Sequence, residues 1–162
     1  MKTSRILALM LGLLSICANA QDPDSKATLA SFIRFVWEAK QDEAAAVTFS
    51  KPGENVATAE RIKQLIERSK EHQNTPVKIV ESKELGTVAR IIVKDLAKRP
   101  DGKPDYDGIL MIKREGVWKI VINANELENA PSLTDAEERK AFTELRSWQN
   151  EKMKALETPH QP

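Results

Sequence analysis

Apolar residues recur three and four apart at Leu29, Phe32, Ile33 and Val36. That spacing predicts one buried stripe on a helix from about Ala27 to Lys40, with Trp37 at its border. Gln41-Asp42 interrupts the pattern, and Asp42 is placed to cap a short Ala-rich helix from Glu43 to Phe49. Ser50-Lys51-Pro52-Gly53 reads as a turn. A third helix is predicted from about Thr58, its expected cap, to Glu71, with Ile62, Leu65 and Ile66 facing inward. Asn74 and Pro76 end it.

The period then shortens to two. Val77 to Lys83 reads as a strand, and Gly86 marks a turn. Thr87 to Leu96 reads as a second strand, dense in β-branched residues. Lys98 to Pro104 is a polar loop, Gly108 to Arg114 a third strand, Glu115-Gly116 a tight turn and Val117 to Ile122 a fourth strand. Stretches of the strands are apolar on both alternating faces, which predicts a cover on each side of the sheet. Past Pro131, Thr134 with Glu137 gives the spacing of a capping box. It introduces a polar helix striped by Phe142, Leu145 and Trp148 and ending near Glu157. Short connections favour that helix packing back on its own sheet. Residues 158 to 162 are an expected disordered tail.

The first twenty residues follow a different rule. Lys2 and Arg5 precede an apolar run from Ile6 to Ile16, and Ala18-Asn19-Ala20 supplies small residues where a signal peptidase reads. The segment is too short to span a bilayer, which takes about 20 apolar residues. It reads as a secretory signal, so the protein is expected to be exported, to the periplasm or the extracellular medium. Cys17 is the one cysteine. Ile16 directly before it is bulky, which argues against lipidation there. Cleavage after Ala20 leaves no thiol and excludes disulfides and thiolate metal sites. Residues 21 to 26 form a polar leader, 27 to 125 the expected folded domain and 126 to 157 a helical extension.

Without Lys2 and Arg5 the formal net charge falls from +1 to −1. A nearly neutral chain has no general attraction for nucleic acid or anionic lipid. No further apolar run is long enough to hold the mature chain in a membrane.

Helices followed by antiparallel strands make an α+β order. Two strings sharpen it. Phe35-Val36-Trp37-Glu38-Ala39-Lys40-Gln41-Asp42-Glu43-Ala44-Ala45-Ala46 resembles the opening of the nuclear-transport-factor-2-like (cystatin-like cone) superfamily, where a helix ends in a small turn with Asp before an Ala-rich helix. Gly108-Ile109-Leu110-Met111-Ile112-Lys113-Arg114-Glu115-Gly116-Val117-Trp118-Lys119-Ile120 resembles that superfamily's closing hairpin. The likeness runs from about Ala27 to Ile122 and is nearest to small exported bacterial members of unknown function. Where members often carry Gly-Asp, this chain has Gln41-Asp42, and everything after Asn125 lies outside the likeness. The resemblance implies a cone, a curved antiparallel sheet wrapped around a long helix, often with an apolar pocket at its open end. Members include isomerases, dehydratases, ligand binders and interaction modules, so the fold does not choose among them.

No constellation of catalytic residues stands out. His72 at a helix end and His160 in the tail read as solvated. Tyr106, placed just before the third strand, reads as a strand-edge aromatic, and Asp42 reads as a cap; each is also an alternative polar group for a pocket. Asp101, Asp105 and Asp107 invite a calcium loop, but with Gly108 sixth, Lys103 and Arg114 fall where carboxylates are required. Phosphate loops, nucleophile elbows and zinc-ligand spacings are absent from the sequence. No cofactor or metal is expected. Phe32, Phe35, Val36, Phe49, Ile91, Leu110, Ile112 and Trp118 form the apolar set that either fills the core or lines a pocket. The sequence therefore favours an exported, non-enzymatic binding or protein-interaction module, its partner a protein or a small apolar ligand. The alternative is a small-molecule isomerase or dehydratase using Asp42 or Tyr106. Both a monomer and a homodimer fit the sequence.

Overall fold

A computed structural model of the chain describes residues 24–71, 76–96 and 104–158. The signal segment with Cys17, the two histidines, Asp101 and the last four residues lie outside them.

Three helices come first: α1 (Ser25–Trp37), α2 (Gln41–Ala46) and α3 (Asn55–Glu71). The Asp24 side chain caps α1 by accepting from the Ala27 N–H at 2.7 Å, so helix begins inside the expected leader. Lys40 N–H reaches back to the Phe35 carbonyl at 2.8 Å while Ala39 takes a φ of 55°, which closes α1 before Lys40. Two expected caps are corrected. Asp42 lies exposed within the first turn of α2, whose N-cap is Lys40. Thr58 is buried in the first turn of α3, with its hydroxyl 2.5 Å from that of Ser50; α3 starts three residues earlier, at Asn55.

Four strands follow, β1 (Val77–Leu85), β2 (Val88–Asp95), β3 (Asp105–Arg114) and β4 (Val117–Val121), in an antiparallel meander of order β1-β2-β3-β4. Pairing runs Leu85 with Val88, Ala89 with Met111 and Met111 with Ile120, with a register shift in β1 between Ile79 and Glu81. The β3–β4 hairpin turns through Glu115 and Gly116, both at positive φ (51° and 82°), as a two-residue primed turn requires. Strand β3 begins at Asp105, so Tyr106 is within it, paired with Lys94, rather than ahead of it. The far edge of β4 is covered by a parallel bridge from Thr48 to Ile120.

Both faces of the sheet are buried, as the β-branched run in β2 predicts. Ala89, Ile91, Met111, Trp118 and Ile120 face α1, packing with Leu29, Phe32 and Ile33. Val88, Leu110, Ile112 and Val121 face the other way. Over them lie α4 (Ala124–Glu128), a short helix that the sequence pattern does not announce, and α5 (Ala136–Glu157). Leu127 of α4 and Ala141, Phe142 and Leu145 of α5 complete that layer. The chain after residue 125 thus shares the sheet's own core. The capping box of α5 is Asp135 with Glu138, one residue beyond the expected pair. Thr134 instead turns its hydroxyl back to the Ala130 carbonyl. The order of helices, antiparallel meander and covering helix is the α+β arrangement expected. Among the described residues no helix is long and apolar enough to cross a membrane.

Candidate functional site, an apolar groove between two helices and the sheet end

Helix α3 packs beside α1 through Ile62 and Ile66, buried against Val36 and Ala44. Toward the C-terminal ends of the two helices this contact opens. The space left is a groove of about 300 Å³. Phe32, Ile33, Val36 and Trp37 of α1 form one wall, and Leu65, Arg68 and Ser69 of α3 the other. Val77 and Asp95, a paired couple at the start of β1 and the end of β2, close one end. The helical stripe explains the wall. Phe32, Ile33 and Val36 are the inward face of α1, and Trp37 lies one residue round from Val36, half-buried at the helix end.

The apolar set named from the sequence does not gather in one place. Phe32 and Val36 line the groove. Ile91 and Trp118 lie on the same side of the sheet but inside the packed layer, and Phe35 packs among α1, α2 and α3. Leu110 and Ile112 are on the opposite face with Phe49 against them, under α5. Asp42 is exposed on α2 and outside the groove. Tyr106 is half-buried on β3, its ring 5.8 Å from the Lys94 ammonium, also outside the groove.

The most deeply buried charges lie on the opposite face of the sheet, under α4 and α5. Arg90, 5% exposed, projects from the middle of β2 between Val88 and Ile92. Its guanidinium donates to Gln149 Oε1 of α5 at 2.6 Å and pairs with Glu128 of α4, which also meets Arg146 of α5. Burial pulls the Arg90 pKa below its usual value, and repulsion from Arg146 adds to this. A second cluster holds the start of α5. Glu138 accepts from Thr87 Oγ1 at 2.9 Å and from Arg114. Burial alone would raise the Glu138 pKa, but the hydrogen bonds from Arg114, Thr87 and the Asp135 backbone outweigh it, and the net shift is downward. Each cluster pairs carboxylate with guanidinium, which suits holding a helix to a sheet. Arg90 escaped the reading of motifs. Its signal was a lone charge inside the apolar run Val88-Ala89-Arg90-Ile91-Ile92-Val93, at an inward parity. Among the described residues no group of three or more His, Cys, Asp or Glu side chains is arranged to hold a metal.

No protein-family model matches the chain, and no curated protein matches it. Among solved structures, a Campylobacter jejuni protein with the provisional name NTF2-like transpeptidase is similar at 11% identity and a TM-score of 0.49. The match spans 62% of this chain and 100% of that one.

Proposed function

We propose that the chain is an exported, non-enzymatic binding module whose groove between α1 and α3 takes a small apolar ligand. The observation that carries this reading is the groove itself. It is about 300 Å³ in volume, at the lower end of the range of small-molecule sites, and its walls are apolar and aromatic with few polar groups. The alternative, an isomerase or dehydratase, draws no support from the geometry, because Asp42 and Tyr106 stand apart from the groove. Export rests on Ala18-Asn19-Ala20 and on Ile16 before Cys17.

Thermal unfolding with and without decanol tests the binding reading. A ligand held by the folded state alone raises Tm. Decanol should raise it for the unmodified protein and not for Leu65→Trp, which fills the groove. No Tm rise with decanol or a panel of similar apolar compounds would refute the reading. N-terminal mass analysis tests export. The expected chain starts at Gln21, and a lipid-modified Cys17 would overturn that assignment.

A further inference from the structure

We infer that the groove selects an amphiphilic monoanion, an apolar chain of about ten carbons ending in a carboxylate that pairs with Arg68. This rests on the proposed binding role and names its ligand class. The walls of Phe32, Val36, Trp37 and Leu65 accept any apolar body, so selectivity falls to the polar groups at the rim: Arg68, Ser69 and Asp95. Ser69 and Asp95 already have interaction partners within the chain. Arg68 has none among the described residues, and it is exposed.

That sets Arg68 apart from the other described arginines. Arg34 lies 5.3 Å from the Phe35 ring centre. Arg61 pairs with Glu126, Arg90 and Arg146 with Glu128, and Arg114 with Glu138. Arg139 donates to the Thr134 carbonyl at 2.6 Å. The one uncommitted guanidinium among them therefore stands at the mouth of the apolar groove. A guanidinium beside an apolar wall suits a carboxylate, which it can bind through two parallel hydrogen bonds. One cation matches one negative charge better than two. At the roughly 30 Å³ that a water molecule occupies in the liquid, the groove holds about ten non-hydrogen atoms. That is close to the nine-carbon chain of decanoate with its carboxylate outside.

Position in the last turn of a helix is an ordinary reason for an arginine, so the test must separate a ligand contact from a helix-end charge. Decanoate, decanol and decyl phosphate are titrated into the purified protein by calorimetry, with Trp37 on the groove wall as a fluorescence reporter. At low salt, decanoate should bind at least about tenfold more tightly than decanol, and decyl phosphate less tightly than decanoate. Arg68→Gln should reduce decanoate to the decanol level and leave decanol unchanged; Arg68→Lys should keep part of the preference. Equal binding of decanoate and decanol, or a preference unaltered by Arg68→Gln, would overturn the inference while leaving an apolar binding groove intact. Tighter binding of decyl phosphate would also overturn it. If no compound binds, and Leu65→Trp alters no titration, both the inference and the binding role fail.

Discussion

Gln149 lies directly over Gly108, its amide filling the space that a Cβ on Gly108 would take. The same amide accepts the 2.6 Å hydrogen bond from Arg90. The missing side chain on β3 therefore lets α5 reach the buried arginine of β2. Gly108→Ala should displace Gln149 and destabilise the protein by about 1 to 2 kcal/mol, a crowding effect joined to a lost charge-assisted hydrogen bond. In a Gln149→Ala background the same change should be neutral or slightly stabilising, since Ala suits a strand better than Gly. Additive losses in urea denaturation would show that the two residues do not share this space.

Among the described residues, Glu128 is the carboxylate that meets both Arg90 and Arg146. Glu128→Gln leaves the buried Arg90 guanidinium without a counter-charge, while Arg146 stays in reach of solvent. Removing one partner of a buried pair costs on the order of 3 to 5 kcal/mol. Arg90→Met in the same chain should restore much of that loss, because it removes the buried charge that Glu128 had balanced. Chemical denaturation of the single and double variants checks this. A double variant no more stable than Glu128→Gln would mean that Arg90 is not the group left stranded.

On the other face, Trp118 is 4% exposed and packs in the layer that includes Leu29 of α1. Trp118→Ala should cost about 3 to 5 kcal/mol, as large-to-small changes of buried aromatic residues do. Loss of the Trp118 ring should also loosen α1, seen as faster amide exchange from Leu29 to Val36. A loss under about 1 kcal/mol would place Trp118 outside the core.

Acid should weaken the hold on α5 through Glu138, whose folded-state pKa is lowered from 4.5. A depressed carboxylate stabilises the fold above its unfolded pKa, and that contribution is lost as pH falls through the folded value. Glu138→Gln should therefore lower stability most near about pH 7, with the gap to the unmodified protein closing as pH drops below about 4. Glu126, lowered chiefly by its hydrogen bond from Arg61, shifts in the same direction, so the glutamine variant keeps some acid sensitivity. A gap that stays constant from neutral to acid pH would remove Glu138 from the titration.

What could be read in advance follows from how far each signal reaches along the chain. The stripe from Leu29 to Val36 and the doubly apolar β2 are local, and each shows its buried faces by period alone. The cap of α5 was ambiguous because Thr134-Glu137 and Asp135-Glu138 both have the right spacing. The decision comes from Arg114 and Thr87, which seize Glu138 from the sheet. Helix α4 is too short to declare itself, and Leu127 and Glu128 fix it through contacts far along the chain. The groove was half legible. Phe32, Val36 and Leu65 are visible as inward positions, but only the packing of α3 on α1 leaves a gap between them and brings Arg68 to its rim.

Helix α5 is polar along most of its length, and its buried contacts with the sheet are few but spread over two kinds. Ala141, Phe142 and Leu145 cover Val88, Leu110 and Ile112. Gln149 and Lys152, further along, reach Arg90 and Glu81 by polar contacts, the Lys152–Glu81 pair at 3.2 Å. An isolated helix of this composition is marginal in water, so its order comes from the sheet beneath it. Removing residues after Pro131 should expose the apolar row of Val88, Leu110 and Ile112 and leave Arg90 without Gln149. The shortened chain should then lose several kcal/mol and self-associate through the bared face, since a contiguous apolar patch seeks cover. Light scattering and urea denaturation of the full and shortened chains make the comparison. Salt should distinguish the two kinds of contact, because high ionic strength screens the exposed Lys152–Glu81 pair and leaves burial of Phe142 and Leu145 intact. Amide exchange at about 1 M salt should therefore speed up beyond Gln149 and stay slow around Leu145. A shortened chain as stable as the full one, and no more prone to associate, would make α5 a free arm.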